Sequence, residues 1–154
     1  MRKIAQMGQS EAKEIADCWK YDGAYAFYDM TADPEDYEEI MRPDLRGGRY
    51  FSVFDDDALI GFFCVEREGT DAALGLGLRP DLTGRGYGRA FLEDILRFME
   101  EHGSFKRIRL DVASFNQRAI KVYERAGFVK TGTAQVSTNG GLYDFTRMEL
   151  RRQT

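Results

Sequence analysis

The sequence predicts an α/β fold, with a mixed, mostly antiparallel sheet of six or seven strands flanked by helices. Short apolar runs separated by turn residues fill the middle of the chain, and two amphipathic helical patterns alternate with strands after residue 84. A helix-length segment between two of these strands allows a right-handed parallel crossover. The expected element order is β-α-α-β-β-β-α-β-α-β-β, and 154 residues suit a single domain.

The first part of the chain predicts a short strand at residues 3–7, followed by a helix that Ser10 is expected to cap. Residues 21–30 are rich in aromatic side chains but follow no clear period, which predicts a loop or a broken helix. Asp33 and Pro34 then supply a capping residue and a first-turn proline, so a short helix is expected to begin there.

The middle of the chain predicts an antiparallel meander, because polar residues separate three apolar runs at residues 50–54, 58–65 and 70–78. Two helices, a strand between them and a terminal hairpin are expected to follow, with a turn at Asn139-Gly140-Gly141. Their expected bounds are residues 86–102 and 116–126 for the helices, 107–113 for the strand, and 128–137 with 142–150 for the hairpin.

Composition and charge argue against several classes of function. The net charge of −4 disfavours nucleic-acid binding, and no apolar run approaches the roughly 20 residues of a membrane span. The single histidine, His102, precedes Gly103 at a predicted helix end and is expected to belong to the cap, which disfavours a Ser-His-Asp triad and a histidine-rich zinc site. Cys18 and Cys64 lack metal-ligand spacing. Because the N-terminus also lacks a secretory signal, we expect a cytoplasmic protein with no metal, membrane or nucleic-acid partner.

The most informative motif is the glycine-rich segment TGRGYGR at residues 83–89, which joins an apolar strand to an amphipathic helix. Glycines allow close approach of the backbone to a ligand, and the first amides of a helix attract anions. A P-loop would need lysine where Arg89 stands, and the dinucleotide-binding pattern G-x-G-x-x-G would need glycine there. Use of the glycines for close helix packing alone, or for another phosphate ligand, remains as an alternative.

Two segments resemble the GNAT superfamily of acyl-CoA-dependent acyltransferases. The loop is similar to its coenzyme A pyrophosphate loop, Q/R-x-x-G-x-G/A, with Gly86 and Gly88 at the glycine positions and Thr83 in place of Gln or Arg. Residues 116–128, NQRAIKVYERAGF, resemble the N-x-x-A-x-x-x-Y-x-x-x-G-F helix of the same superfamily. The C-terminal half of the chain is similar to ribosomal-protein N-terminal acetyltransferases in particular.

The resemblance implies a GNAT-type sheet that splays between its fourth and fifth strands. It implies one acyl-CoA N-acyltransferase domain over residues 1–154, with a variable acceptor-side region at residues 1–45 and a cofactor-binding core at residues 50–150. The implied function is transfer of an acetyl group from acetyl-CoA to a primary amine, by direct attack in a ternary complex.

The resemblance also implies particular site residues. Tyr123 is the implied general acid, which protonates the leaving thiolate. Asp111 is the first candidate for the general base, because related enzymes carry an acid at that spacing before Asn116, and Glu66 on a neighbouring strand is the second. The implied cofactor contacts are Leu76, Gly77, Leu78, Thr83, Gly84, Arg85, Gly86, Tyr87, Gly88, Arg89 and Asn116.

The acceptor is left open by the sequence. Acidic residues at 33–39 and 55–57 favour a cationic amine, either on a protein or peptide or on a small molecule such as a polyamine or aminoglycoside. A non-catalytic acyl-CoA-binding sensor is the alternative to an enzyme. The aromatic residues of the segment 21–28 are expected either to wall an acceptor pocket or to cover the core, and the chain is expected to be a monomer or a homodimer.

Overall fold

The computed structural model describes residues 1–151, which form a seven-stranded sheet in the order β1-β2-β3-β4-β5-β7-β6. Neighbouring strands are antiparallel except β4 and β5, which are parallel. The mixed, mostly antiparallel fold is therefore confirmed. The strands are β1 Arg2–Gln6, β2 Tyr50–Asp55, β3 Ala58–Glu68, β4 Asp71–Leu78, β5 Arg107–Ala113, β6 Val129–Thr138 and β7 Gly141–Arg151.

Helices cover both faces of the sheet, because strand residues alternate between two apolar clusters. Val53 and Phe63 belong to the cluster beneath the C-terminal helices, whereas Phe62 faces Ile15 and Ile40 on the other side. The helices are α1 Gln9–Cys18, α2 Pro34–Met41, α3 Pro43–Arg46, α4 Tyr87–Glu101 and α5 Gln117–Arg125, with 3₁₀ turns at Gly23–Tyr28, Met30–Ala32 and Pro80–Leu82. The helix α4 makes the crossover between the parallel strands β4 and β5 and buries one apolar stripe against the first cluster.

The predicted splay lies between β4 and β5. These strands pair only where residues 71–73 face residues 107–109, and they then separate. Each strand keeps its antiparallel partner to the end, since β3 pairs with β4 as far as Leu78 and β7 pairs with β5 as far as Ala113. The last five residues of β4 therefore have no neighbour on the β5 side, which leaves a gap in the sheet.

Glycines let large rings lie against the sheet beside this gap. A Cβ atom added at Gly61 would lie 2.4 Å from Cε1 of Phe91, and one at Gly77 would lie 2.4 Å from Cε1 of Phe62. Both phenylalanines are buried. These two positions on β3 and β4 therefore need glycine because a ring from each apolar cluster occupies the space of a side chain.

Two local predictions are confirmed and one is wrong. Asp33 caps α2 by accepting the Glu35 N–H, and Asn139 and Gly140 adopt the positive φ angles of a tight hairpin turn. Ser10 does not cap α1; the cap is Gly8, whose N–H donates to the carboxylate of Glu11 at 3.0 Å. The acid on the third residue of the helix satisfies the cap, so the helix starts earlier than expected.

The remaining differences concern short elements. The aromatic segment forms 3₁₀ turns, in line with the predicted broken helix, and the four-residue helix α3 was not expected from the sequence. Within the described residues 1–151, no helix combines the length and apolar character needed to cross a bilayer.

Candidate active site

The glycine loop turns the chain so that the first turn of α4 faces outward. Gly84 and Gly86 have φ angles of 73° and 84°, in the left-handed region that favours glycine, and Gly86 is the N-cap of α4. A Cβ atom on Gly86 would meet nothing within 4 Å, so this side of the loop is open. The first turn of α4 carries no acidic residue, and its free amides form a site suited to an anion.

Two arginines lie at this loop without a carboxylate partner. Arg85 and Arg118 make no ion pair within residues 1–151, whereas Arg89 is paired with Glu93 at 3.1 Å. The Arg118 guanidinium lies 2.8 Å from the position that a Cβ atom on Gly84 would take. Both guanidinium groups lie beside the amides of the loop, and the charge of Arg85 also helps to lower the pKa of Asp81.

A cavity of about 720 Å³ separates the loop from the aromatic 3₁₀ segment. The ring of Tyr25 forms part of its wall and lies 4.3 Å below the guanidinium carbon of Arg118. The hydroxyl of Thr83 donates to the carbonyl of Pro80 at 2.7 Å, so this side chain stabilises the loop itself. The lining residues are Tyr21, Asp22, Gly23, Ala24, Tyr25, Pro80, Asp81, Thr83, Arg85 and Arg118.

The predicted cofactor contacts on β4 and α5 lie on opposite sides of the gap. The carbonyl of Leu78 accepts a hydrogen bond from the Tyr21 hydroxyl at 2.7 Å. Asn116 caps α5 through its Oδ1, which accepts the Ala119 N–H, and its Nδ2 donates to the hydroxyl oxygen of Tyr28 at 3.1 Å. The hydroxyls of Tyr21 and Tyr28 therefore form hydrogen bonds with polar groups at the two edges of the gap.

Tyr123 lies on α5 on the same side of the gap as Asn116. Burial raises the pKa of its phenol, and the nearby Tyr28 raises it further. The phenol is therefore protonated near neutral pH. Its hydroxyl makes no hydrogen bond within the described part of the chain, so no protein group there accepts its proton.

The two candidate bases come together in a second cavity of about 250 Å³ on the opposite face of the sheet. Asp111 on β5 binds Arg147 through both carboxylate oxygens, at 3.0 and 3.4 Å. Glu66 on β3 is 65% exposed and lies 3.9 Å from Arg49. The lining residues are Glu39, Arg49, Tyr50, Cys64, Val65, Glu66, Ala73, Leu74, Gly75, Arg109, Leu110 and Asp111.

Sequence reasoning missed Arg118, although a signal for it was present. Arg118 and Val122 are four residues apart on α5 and share one helix face. Gly84 and Gly88 have the same spacing, and each lies beside one of these two side chains. The paired spacing could have placed Arg118 at the loop, whereas nothing local indicated that Arg147 would bind Asp111.

Comparison with known protein families identifies a match over most of the chain. Residues 13–128, well over half of the chain, match the Acetyltransferase (GNAT) family. The chain belongs to the GNAT family. The part of the chain that matches the family begins in α1 and ends at Phe128, so it includes the glycine loop, α4, the gap and α5.

Among relatives of this GNAT protein is the Bacillus subtilis SPbeta prophage-derived uncharacterized N-acetyltransferase YokL, 28% identical over 102 residues. That match covers 62% of the chain and 57% of YokL, so the chain spans little more than half the length of this relative.

Two solved structures share the fold. One is the Escherichia coli ribosomal-protein-S18-alanine N-acetyltransferase, with a TM-score of 0.72, 22% identity, and coverage of 100% of this chain and 96% of that one. The other is a chimera of the Vibrio cholerae spermidine N-acetyltransferase SpeG and hSSAT, with a TM-score of 0.78, 23% identity, and coverage of 97% and 95%. At these identities the likeness concerns the fold.

Proposed function

We propose that the protein is an N-acetyltransferase that moves the acetyl group of acetyl-CoA to a primary amine by direct attack in a ternary complex. The observation that carries the proposal is the open glycine loop at the start of α4, with the unpaired guanidinium groups of Arg85 and Arg118 beside it. Family membership and the gap between β4 and β5 support the same reaction.

The residues present fit coenzyme A. The pyrophosphate would be held by the amides of residues 84–89 and by Arg85 and Arg118, since backbone amides at a helix start and guanidinium groups both bind phosphate oxygens. The unpaired edge of β4 and the side-chain amide of Asn116 would hold the pantetheine arm. The substrate supplies a thioester, whose carbonyl carbon is the electrophile.

The acid and base assignments are part of this proposal. Tyr123, whose pKa is raised by burial, gives its proton to the thiolate as the carbon–sulfur bond breaks. We assign the base role to Asp111, which removes a proton from the attacking nitrogen, with Glu66 as the alternative in the same cavity.

A covalent acyl-enzyme on cysteine is disfavoured by the chemistry of Cys64. Cys64 lines the cavity of the candidate bases, but burial raises the pKa of its thiol to about 11. A thiol in that state is a poor nucleophile near neutral pH. Direct attack by the acceptor amine is therefore the proposed route.

The acceptor is proposed to enter from the cavity that holds Glu66 and Asp111. Its volume of about 250 Å³ suits one amine-bearing side chain, a peptide N-terminus or a small amine. A protein amine is the first choice and a polyamine or aminoglycoside the second, because one structural neighbour is named for a ribosomal-protein alanine and another for spermidine. We further propose residues 1–45 as the acceptor-side region and residues 50–150 as the cofactor-binding core.

Two measurements on the full chain test this function. Calorimetric titration should detect acetyl-CoA binding that Arg118→Ala weakens, and a thiol assay should detect release of coenzyme A with at least one amine from a panel. The panel contains peptides beginning with Ala or Ser, a lysine peptide, spermidine and an aminoglycoside. Binding without turnover on every acceptor would support a sensor and contradict the enzyme, and protection by ATP or NAD alone would contradict both.

The Tyr123→Phe variant tests the general acid. Its turnover should fall on the order of 100-fold while acetyl-CoA binding is retained, because only proton transfer is lost. The matched control is Tyr37→Phe, which removes a surface hydroxyl that donates to Asp17 at 2.7 Å. Equal turnover in Tyr123→Phe and Tyr37→Phe would show that Tyr123 is not the acid.

Asp111→Asn and Glu66→Gln distinguish the two candidate bases. The variant that removes the base should lose turnover at neutral pH and regain part of it as the pH rises and the acceptor amine deprotonates by itself. Loss in Glu66→Gln with retention in Asp111→Asn would reverse the assignment.

A further inference from the structure

The segment Gly23–Tyr28 places a second phenol at the end of the gap. The Tyr28 hydroxyl oxygen accepts the Nδ2 proton of Asn116 at 3.1 Å and also faces the backbone N–H of Ala113, the last residue of β5. Two donors thus converge on this oxygen from the β5 side, where the sheet is open. The contact links residues 88 positions apart in sequence, so the tertiary fold brings Tyr28 there.

Neighbouring contacts hold Tyr28 in this position. The preceding ring, Phe27, packs against Tyr143 at a centroid distance of 4.7 Å. The carbonyl of Phe27 accepts a hydrogen bond from Asn139 at 2.7 Å, in the turn between β6 and β7. The segment is thereby fixed between the gap and the terminal hairpin.

The proton of the Tyr28 hydroxyl has no acceptor. Within residues 1–151, Tyr28 accepts hydrogen bonds but donates none, and the hydroxyl of Tyr123 makes none at all. The two phenols are close enough to interact electrostatically. Burial raises the pKa of Tyr28 as well, so both hydroxyls stay protonated at neutral pH. Within residues 1–151, both phenols on the β5 side of the gap therefore keep a hydroxyl proton that no protein group accepts.

A thioester in direct transfer needs two donors of this kind. Negative charge develops on its carbonyl oxygen during attack and on its sulfur during departure, and fixed donors aimed at these atoms lower the barrier. Tyr123 is assigned to the sulfur in the proposed function. The phenol that remains is Tyr28, whose oxygen is polarised by the hydrogen bond that it accepts from Asn116.

We propose that Tyr28 is a further catalytic residue, which donates a hydrogen bond to the carbonyl oxygen of the acetyl thioester while Tyr123 protonates the departing sulfur. The amine nitrogen forms a bond to the carbonyl carbon, the carbon–sulfur bond breaks, the proton of Tyr123 goes to the thiolate, and the nitrogen loses a proton to the base. Tyr28 keeps its proton throughout. This role rests on the proposed function, because it requires an acetyl thioester in the gap.

The test compares Tyr28→Phe with Tyr143→Phe in the full chain. Both changes remove one phenol hydroxyl from the same aromatic cluster. The Tyr28 hydroxyl is bonded to Asn116 at the gap, whereas Tyr143 makes no hydrogen bond through its hydroxyl within residues 1–151. Tyr28→Phe should lower kcat on the order of 100-fold with an unchanged Kd for acetyl-CoA, as expected for loss of one donor to a developing oxyanion. Tyr143→Phe should keep the wild-type kcat.

Two further readouts make the outcome decisive. Thermal unfolding of Tyr28→Phe shows whether the variant is folded at the assay temperature. Tyr28→Trp is a second variant, which places an N–H donor on a larger ring. Its kcat should also fall, because that donor is in the wrong position. A wild-type kcat in folded Tyr28→Phe would overturn the inference, as would tighter acetyl-CoA binding with unchanged kcat, which would show that Tyr28 only blocks the gap. Failure of wild-type protein to bind or turn over acetyl-CoA would instead refute the proposed function.

Discussion

Replacement of Asn116 should separate a structural role from a binding role, because its side-chain oxygen and nitrogen make different hydrogen bonds. Oδ1 accepts the Ala119 N–H at the start of α5, at 3.2 Å, and Nδ2 donates to Tyr28 at 3.1 Å. Asn116→Ala removes both contacts. Loss of the cap costs about 1 kcal/mol and loss of the second hydrogen bond about 1 kcal/mol, so the free energy of unfolding should fall by about 2 kcal/mol.

The matched variant is Asn116→Asp. Its carboxylate still accepts the Ala119 N–H, suits the positive end of α5, and can accept the hydroxyl proton of Tyr28. Its unfolding free energy should therefore stay within about 0.5 kcal/mol of the wild-type value. The N–H donor that we assign to the pantetheine arm is lost, so the KM for acetyl-CoA should rise. Because the new carboxylate also accepts the Tyr28 proton, kcat should fall as well.

Thermal unfolding followed by circular dichroism measures the first effect. For a chain of this size, a loss of about 2 kcal/mol lowers Tm by about 4–8 °C. Steady-state kinetics with varied acetyl-CoA measures the second effect. If Asn116→Asp unfolds as early as Asn116→Ala, the cap is not the source of stability, and if it keeps the wild-type KM, the amide does not bind the cofactor.

Three further predictions concern the sheet, the cysteines and an acidic helix. Gly61→Ala should lower the unfolding free energy by about 1–3 kcal/mol, because its Cβ would lie 2.4 Å from the buried ring of Phe91; an unchanged Tm would show that the ring moves freely. Iodoacetamide near pH 7 should modify the exposed Cys18 well before Cys64, whose thiol pKa is raised to about 11 by burial; equal rates by mass spectrometry would contradict this. Asp36→Asn should raise Tm near pH 8, because partial removal from water and three neighbouring carboxylates raise the pKa of Asp36 to about 6 in the folded state. The folded state penalises the charged carboxylate of Asp36, so the gain in Tm should shrink as the pH falls through 6 and vanish below about 4, where the carboxyl is neutral in both states. An equal gain in Tm at pH 8 and below pH 4 would refute the assignment.

Much of the fold could be predicted because its signals are local. The strand bounds 107–113 predicted from alternation agree with β5, and the hairpin turn at Asn139-Gly140 follows from two residues that tolerate positive φ. The start of α2 could be predicted from Asp33 and Pro34 alone. The start of α1 could not, because Gly8 and Glu11 satisfy the cap through a backbone N–H and a carboxylate that compete with Ser10.

The candidate site was only partly predictable. The glycine loop and the residues from Asn116 to Tyr123 form contiguous motifs, so their positions could be named from the sequence. Their neighbours come from distant parts of the chain: Tyr28 reaches Asn116 across 88 positions, and Arg147 reaches Asp111 across 36. No periodicity or spacing carries information about such pairs.

The sequence by itself determined the glycines that open the loop, the apolar stripe of α4 and the succession of helices and strands along the chain. Backbone conformation and amphipathic period depend on adjacent residues. Only the tertiary structure decided that Glu66 and Asp111 share one cavity, that Arg147 binds Asp111, and that Tyr28 lies on Asn116. These contacts join residues that are far apart in sequence, so they depend on how the strands and helices pack and not on adjacent residues.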